Sequence, residues 1–123
     1  MARVRRVYAD TSVYGGVFDP EFEAHSSAFF EQVHRGRFGL VSSALVEDEL
    51  AEAPERVRAY YASLGALLEL AEVTAETADL QNAYLDAGIL SERSAEDALH
   101  VALATIARCD LLVSWNYRHI VHI

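Results

Sequence analysis

Arg6-Val-Tyr-Ala-Asp10-Thr-Ser12 is the stretch of this chain that decides its fold. Four of the six residues from Val4 to Ala9 are apolar, namely Val4, Val7, Tyr8 and Ala9, and their types favour a pleated surface, which predicts a first strand over Val4 to Ala9. Thr11 and Ser12 are turn and helix-capping residues, so the strand ends at Asp10. In open parallel sheets, ligands bind beyond the carboxyl ends of the strands. Asp10 is therefore the first candidate for a functional residue.

Three further segments of strand length follow, and helical patterns separate them. They span residues 38–42, 68–73 and 111–115. The alternating pattern of 68–73 fits a half-exposed strand, and the continuous apolar run of 111–115 is typical of a central parallel strand. Strands that alternate with helices predict an α/β fold with a parallel sheet of about four strands. We expect residues 1–123 to form a single domain.

Composition and charge restrict the classes of function. The net charge is −9, and all ten basic residues are arginines. This excess of negative charge disfavours simple electrostatic adhesion to nucleic acid, but it leaves open a nucleic-acid enzyme whose local field is set by bound metal ions. Cys109 is the only cysteine, and no apolar run approaches the roughly 20 residues that span a bilayer. We therefore expect a cytoplasmic protein without a membrane anchor.

Glu49 is the second acidic candidate. On a helical wheel that starts at Leu45, Glu49 falls inside the apolar face, whereas Glu47 falls on the opposite side. Burying a lone carboxylate costs several kcal/mol unless it is paired or binds a cation. Glu49 therefore needs a partner, and the alternative to a functional role is an arginine partner or a place at the rim of the face.

Asp97 and Asn116 complete the set of candidates. Asp97 follows Ser94 by three residues, and this spacing also fits a capping box with a purely structural role. The first turn of a helix that follows a loop nevertheless lies at the carboxyl edge of the sheet. Asn116 comes directly after the last predicted strand. Together with Asp10 and Glu49, these side chains are expected to face one crevice from four separate segments.

The chemistry of this set favours a divalent metal ion. Three carboxylates without a nearby lysine repel one another, and a hard cation with oxygen ligands relieves that repulsion. Mg²⁺ lowers the pKa of a bound water, orients it on a phosphodiester and neutralises charge as the bond breaks. The chain contains no glycine-rich phosphate loop and no zinc-ligand spacing. His100 is within reach of the site by one helical turn, although helix packing is the preferred interpretation for it.

The order and spacing of four segments resemble PIN-domain proteins, and among these the VapC-like toxins of bacterial toxin–antitoxin pairs. The segments are Val7-Tyr-Ala-Asp10-Thr-Ser, Ser43-Ala-Leu-Val-Glu-Asp-Glu49-Leu, Glu96-Asp97-Ala-Leu-His-Val-Ala and Leu112-Val-Ser-Trp-Asn116-Tyr-Arg-His. The resemblance implies a three-layer α/β/α fold and an endoribonuclease that depends on Mg²⁺ or Mn²⁺. It implies Asp10, Glu49 and Asp97 as metal ligands, with Asn116 as a fourth catalytic residue.

The resemblance also implies partners: an RNA substrate, an antitoxin protein and a second copy of the chain in a homodimer. The sequence departs from the family pattern at Asn116, where most PIN domains have an aspartate. Losing a carboxylate lowers metal affinity, so this departure favours an alternative, a PIN-like module that binds a partner without cutting RNA. The three acids at their motif positions favour the nuclease.

Overall fold

The computed structural model describes residues 4–88 and 95–116. Their four strands form one all-parallel sheet in the order β3-β2-β1-β4. The strands are β1 Arg5–Ala9, β2 Phe38–Ser43, β3 Leu68–Ala71 and β4 Leu111–Val113. The predicted α/β class and the number of strands are confirmed.

In the described residues, six helices connect the strands: α1 Thr11–Gly16, α2 Glu23–His34, α3 Ala44–Leu50, α4 Glu55–Ser63, α5 Ala75–Asp86 and α6 Ala95–Ile106, with a 3₁₀ turn at Gly65–Leu67. The connections with α1 to α4 step from β1 to β2 to β3, whereas the connection with α5 and α6 returns across the sheet to β4. Because parallel crossovers are right-handed, these two sets lie on opposite faces. The result is the expected α/β/α arrangement. None of the described helices combines the length and the apolar character needed to cross a membrane.

Residues at the helix ends explain where the helices begin and stop. The Ser43 hydroxyl accepts a hydrogen bond from Val46 N, and Thr74 caps α5 through a reciprocal bond pair with Thr77. Gly36 and Gly88 follow α2 and α5 with φ angles of +73° and +71°, which favour glycine. The sequence alone predicts these starts and stops: Ser42 and Ser43 open the helix after β2, Thr74 caps the next helix but one, and Gly36 and Gly88 close two helices. The helix after β2 is predicted to run to about Ala53, before Pro54, but it ends at Leu50.

The main core lies between the sheet and the layer of α1 to α4. The rings of Tyr14 and Phe30 meet with centroids 5.3 Å apart near its centre. Fully or nearly fully buried apolar side chains surround them: Tyr8, Val13, Val33, Leu40, Val41, Val46, Leu50, Val57 and Leu64. This packing fixes α1 and α3 against the sheet. Asp10 lies at the N-terminal end of α1, and Glu49 lies near the C-terminal end of α3.

The prediction of a central last strand is wrong for the described part of the sheet. There, β4 pairs with β1 only, because the return connection carries the chain past β1 to the far edge. Leu111 is accordingly 46% exposed. The strand also ends at Val113, two residues before the predicted end, because Ser114 and Trp115 turn toward the loop after β1. The half-exposed third strand is confirmed, since Leu68 and Ala71 are half-buried whereas Glu69 and Leu70 are exposed, but it ends at Ala71, two residues before the predicted end.

Candidate functional site

Asp10 lies where the sheet changes direction. From β1 the chain moves to β2 on one side, and it later returns to β4 on the other, so the carboxyl ends of β1 and β4 form the topological switch point. Ligands of open α/β sheets bind in the crevice at such a point. The backbone N of Asp10 donates to the carbonyl of Val113 at 3.1 Å, and the Asp10 side chain is only 1% exposed.

Both carboxylate oxygens of Asp10 are oriented by hydroxyl groups. Asp10 is the N-cap of α1, and its Oδ1 accepts hydrogen bonds from the backbone N of Ser12 at 3.0 Å and from the Ser12 hydroxyl. Oδ2 accepts from the hydroxyl of Ser114. The Ser12 hydroxyl oxygen also accepts from Trp115 N at 2.9 Å, which ties the N-terminal end of α1 to the loop after β4. These donors compensate the cost of burying the charge.

Glu49 extends from α3 toward the loop after β1. Its side chain is 23% exposed, whereas Glu47 is exposed, as the helical wheel predicts, and Asp48 is exposed as well. Oε1 of Glu49 accepts from the hydroxyl of Thr11, the residue after Asp10, and lies 2.7 Å from Nε2 of His100. Glu49 is therefore paired with His100 and Thr11 rather than with an arginine.

A chain of hydrogen bonds connects Glu49 to the protein interior. We call its four residues, Ser43, Tyr8, His100 and Glu49, the Glu49 relay. Nδ1 of His100 lies 2.7 Å from the Tyr8 hydroxyl, which lies 2.8 Å from Oγ of Ser43. A carboxylate only accepts hydrogen bonds, so Nε2 of His100 carries a proton. In the neutral ring, Nδ1 then accepts from Tyr8, and Tyr8 accepts from Ser43. His100 is buried, as a packing residue would be, but it also contacts a candidate site residue.

These contacts shift the pKa values of Glu49, Glu96 and Tyr8. Burial alone raises the pKa of the Glu49 carboxyl, but hydrogen bonds with His100, Glu96 and Thr11 outweigh it and bring the pKa to about 2. The pKa of Glu96 is raised, first by its hydrogen bond to Glu49 and by the charge of that carboxylate, and also by Asp97. Burial raises the pKa of the Tyr8 hydroxyl as well. Glu49 is thus a carboxylate at neutral pH.

Glu96 was not among the candidates predicted from the sequence. Glu96 and His100 are four residues apart and therefore share one face of α6, so the spacing was a usable signal once His100 was considered. Asp97, the predicted candidate, is half-buried in the first turn of α6. Ser94, its proposed capping partner, lies outside the described residues.

Asn116 borders the crevice from the loop after β4. Its backbone N donates to the Ser114 hydroxyl at 2.9 Å, and the same hydroxyl donates to Asp10. The residue is exposed. It lines a cleft of about 410 Å³, which we call the Trp115 cleft and which is formed by the Gly15-Gly16 turn together with Ser12, Asp19, Glu21, Phe22, Trp115 and Asn116.

Comparison with solved structures identifies the fold that carries this site. VapBC2 from Rickettsia felis, bound to a DNA fragment from its promoter, matches with a TM-score of 0.63 and 12% identity, over 94% of this chain and 93% of that chain. VapC20 of Mycobacterium tuberculosis, a sarcin-ricin loop cleaving toxin, matches with a TM-score of 0.59 and 16% identity, over 95% and 98% of the two chains. The chain has a VapC-like fold. At these identities the likeness concerns the fold alone.

The resemblance found in the sequence is thus confirmed for the VapC-like fold. No protein-family model and no curated protein matches the chain.

The donor set at the switch point of the VapC-like fold suits a hard cation. Within residues 4–88 and 95–116, no three histidine, cysteine, aspartate or glutamate side chains stand close enough together to hold a metal ion. Mg²⁺, however, is often held by one or two carboxylates and retained waters. The pKa of Glu96 is raised first by its hydrogen bond to Glu49 and then by the negative charge of that carboxylate, and a divalent cation would offset this charge. The oxygen chemistry therefore fits Mg²⁺ or Mn²⁺.

Proposed function

We propose that this protein is a metal-dependent endoribonuclease, the toxin of a toxin–antitoxin pair, that hydrolyses phosphodiester bonds in RNA. One observation carries the proposal. The buried Asp10 and the ionised Glu49 are fixed by hydroxyl and imidazole donors at the switch point of a VapC-like fold. Groups with perturbed pKa values cluster at functional sites, and a crevice at the strand ends is where this architecture binds ligands.

In this proposal Asp10, Glu49 and Asp97 would share the binding of Mg²⁺ or Mn²⁺, one or two of them directly and the rest through retained waters, because no three acids of the described residues stand close together. Such an ion would activate a water molecule and neutralise charge at the phosphate. Neighbouring side chains of the protein orient these metal-binding acids. The hydroxyl of Ser114 orients Asp10, and His100 orients Glu49 and keeps it ionised.

Asn116 is the fourth catalytic residue of the proposal. Its amide provides a neutral carbonyl oxygen and an N–H donor at the border of the crevice. The residue is tied to Asp10 through Ser114, whose hydroxyl accepts from the Asn116 backbone and donates to the Asp10 carboxylate. It is therefore suited to orient a water molecule or a phosphate oxygen, without adding a further negative charge.

The structural neighbours support the choice of substrate and partner. VapC20 is a sarcin-ricin loop cleaving toxin, so we propose RNA as the substrate here. VapBC2 supports an antitoxin as the protein partner, and the net charge of −9 suits a cationic segment of such a partner. We also propose that the chain acts as a homodimer.

The test is cleavage of RNA by the purified chain in Mg²⁺, in Mn²⁺ and in a chelator. We expect cleavage with either metal and none with the chelator. Asp10→Asn keeps a cap acceptor for Ser12 but should abolish cleavage. Asp48→Asn, an exposed acid on α3, is the matched control and should cleave like the parent chain. Equal cleavage by the parent and Asp10→Asn would show that this site is not the nuclease centre.

The alternative is a PIN-like binding module that no longer cuts RNA, and Asn116 favours it because an amide replaces a metal-binding charge. Co-purification with the product of the neighbouring reading frame tests the antitoxin in both cases, and light scattering tests the dimer. Stable binding of that product without RNA cleavage under any metal condition would select the module. Failure to bind it, combined with a monomeric chain at high concentration, would contradict the proposed partners.

A further inference from the structure

The Trp115 cleft borders the candidate catalytic site but contains none of its acids. It shares Ser12 and Asn116 with that site, and its volume is about 410 Å³. Ser12 also donates to the Asp10 carboxylate, so any group bound in the cleft lies beside the proposed scissile phosphate. None of the roles assigned above uses the remaining surface of the cleft.

The cleft contains a pre-organised aromatic surface. The rings of Trp115 and Phe22 are parallel within 2°, with centroids 5.3 Å apart. Nε1 of Trp115 donates to Oγ of the buried Ser26 at 2.9 Å, and that hydroxyl donates to the carbonyl of Val13 at 2.8 Å. Gly16 makes this approach possible, because a Cβ there would lie 2.6 Å from Nε1 of Trp115. The indole is therefore fixed before any ligand arrives.

Among the described residues that line the cleft, the two charged side chains are acidic, and the ring of His25 lies 6.2 Å from that of Trp115, centroid to centroid. Asp19 and Glu21 line it and are exposed, and Oδ1 of Asp19 accepts from the backbone N of Glu21 at 2.9 Å. No arginine or histidine is among the described residues that line the cleft. A phosphate group is repelled by this charge, whereas a neutral ring that presents N–H donors is attracted.

We propose that the Trp115 cleft binds one unpaired guanine base of the RNA substrate, and its role in cleavage rests on the proposed function. Single-stranded RNA is commonly recognised by stacking of bases on aromatic side chains and by hydrogen bonds to their Watson–Crick edges. Carboxylates only accept hydrogen bonds. The Watson–Crick edge of guanine presents two adjacent N–H donors, which match one carboxylate. Uracil presents a single N–H between two carbonyl oxygens, which a carboxylate repels.

A guanidinium from a protein partner is the competing occupant, because arginine also stacks on aromatic rings and pairs with carboxylates. Two observations favour the base. The cleft has room for a ring system larger than a guanidinium, and it opens directly beside the residues proposed to cut RNA. The test below therefore includes an arginine derivative as a separate arm.

Trp115 is the only tryptophan of the chain, so its fluorescence reports on the cleft alone. We would titrate the metal-free protein, in chelator, with guanosine monophosphate, uridine monophosphate, ribose phosphate and arginine amide. Guanosine monophosphate should quench the fluorescence saturably, and uridine monophosphate should bind about tenfold more weakly or worse, since it cannot make the bidentate base contact. Ribose phosphate should give no saturable signal.

Matched variants show whether the cleft acids contact the base. Glu21→Gln should weaken binding of guanosine monophosphate by about tenfold, because an amide cannot accept both base donors. Glu23→Gln removes an exposed acid two residues away, on α2 and outside the cleft, and should bind like the parent chain. Both positions are exposed, so thermal melts of the two variants should match that of the parent.

The outcomes separate this inference from the proposed function. Quenching by arginine amide but not by guanosine monophosphate would assign the cleft to a cationic peptide and overturn the inference. Equal binding of the guanine and uracil nucleotides, or an unaltered Glu21→Gln variant, would also overturn it. Guanine binding in a chain that never cuts RNA would support the cleft while refuting the nuclease. Cleavage without any nucleotide quenching would refute the cleft alone.

Discussion

Replacing Tyr8 by phenylalanine tests the Glu49 relay through stability alone, without assuming any activity. Tyr8 is fully buried, and its hydroxyl is 2.7 Å from Nδ1 of His100 and 2.8 Å from Oγ of Ser43. Phenylalanine keeps the ring but removes the oxygen. Nδ1 of His100 and the Ser43 hydroxyl then each lose this hydrogen-bond partner. Among the described residues, Ser43 keeps its bond from Val46 N, at 3.3 Å.

A buried polar group that loses its partner costs about 1–3 kcal/mol, so we expect Tyr8→Phe to lower the free energy of unfolding by about that amount. For a chain of this length the corresponding drop in Tm is roughly 4–12 °C. Urea unfolding of the metal-free protein measures the loss. Tyr60→Phe is the matched control, because Tyr60 is half-buried and burial alone raises its pKa. A Tyr8→Phe variant as stable as the control would mean that the relay is not formed.

Three further expectations concern the groups around the crevice. The pKa of Glu49 lies at about 2, below its ordinary value of 4.5, so its ionised form stabilises the fold above about pH 4.5 and this stabilisation is lost as the pH falls toward 2. Urea unfolding at several pH values should therefore show a flatter acid dependence for Glu49→Gln, and an unchanged curve would contradict the low pKa. Asn116→Asp should tighten Mn²⁺ binding in calorimetry, and unchanged affinity would place Asn116 outside the metal shell. Gly16→Ala should destabilise the chain by about 1–3 kcal/mol, because the new Cβ collides with Ser26 and Trp115; a thermal melt like that of the parent would contradict this packing.

Much of the fold could be predicted because its signals are local. The apolar strand before Asp10, the Ser43 and Thr74 caps and the glycines after two helices each depend on a few neighbouring residues. The place of β4 in the sheet could not be predicted in this way. An apolar run indicates a buried strand, but whether that strand lies in the centre or at the edge depends on where the connection before it crosses the sheet.

The same distinction applies to the candidate site. The helical wheel identified Glu49 as an acid on an apolar face, since amphipathic spacing is written into consecutive residues. Its actual partners, Thr11 and His100, are 38 and 51 residues away in sequence. Only the packing of α6 and the loop after β1 against α3 brings them together. The sequence predicted that Glu49 needs a partner and did not specify which one.

The most direct test of the central claim compares two acids of α3 that are two residues apart. Glu49 faces the relay and the switch point, whereas Glu47 is exposed and accepts from the Tyr61 hydroxyl. The measurement is the rate of RNA cleavage in saturating Mn²⁺ by Glu49→Gln and by Glu47→Gln. We expect Glu49→Gln to lose about a hundredfold or more of the parent rate and Glu47→Gln to retain it. Equal rates for the two variants would contradict the assignment of this crevice as a metal-dependent nuclease centre.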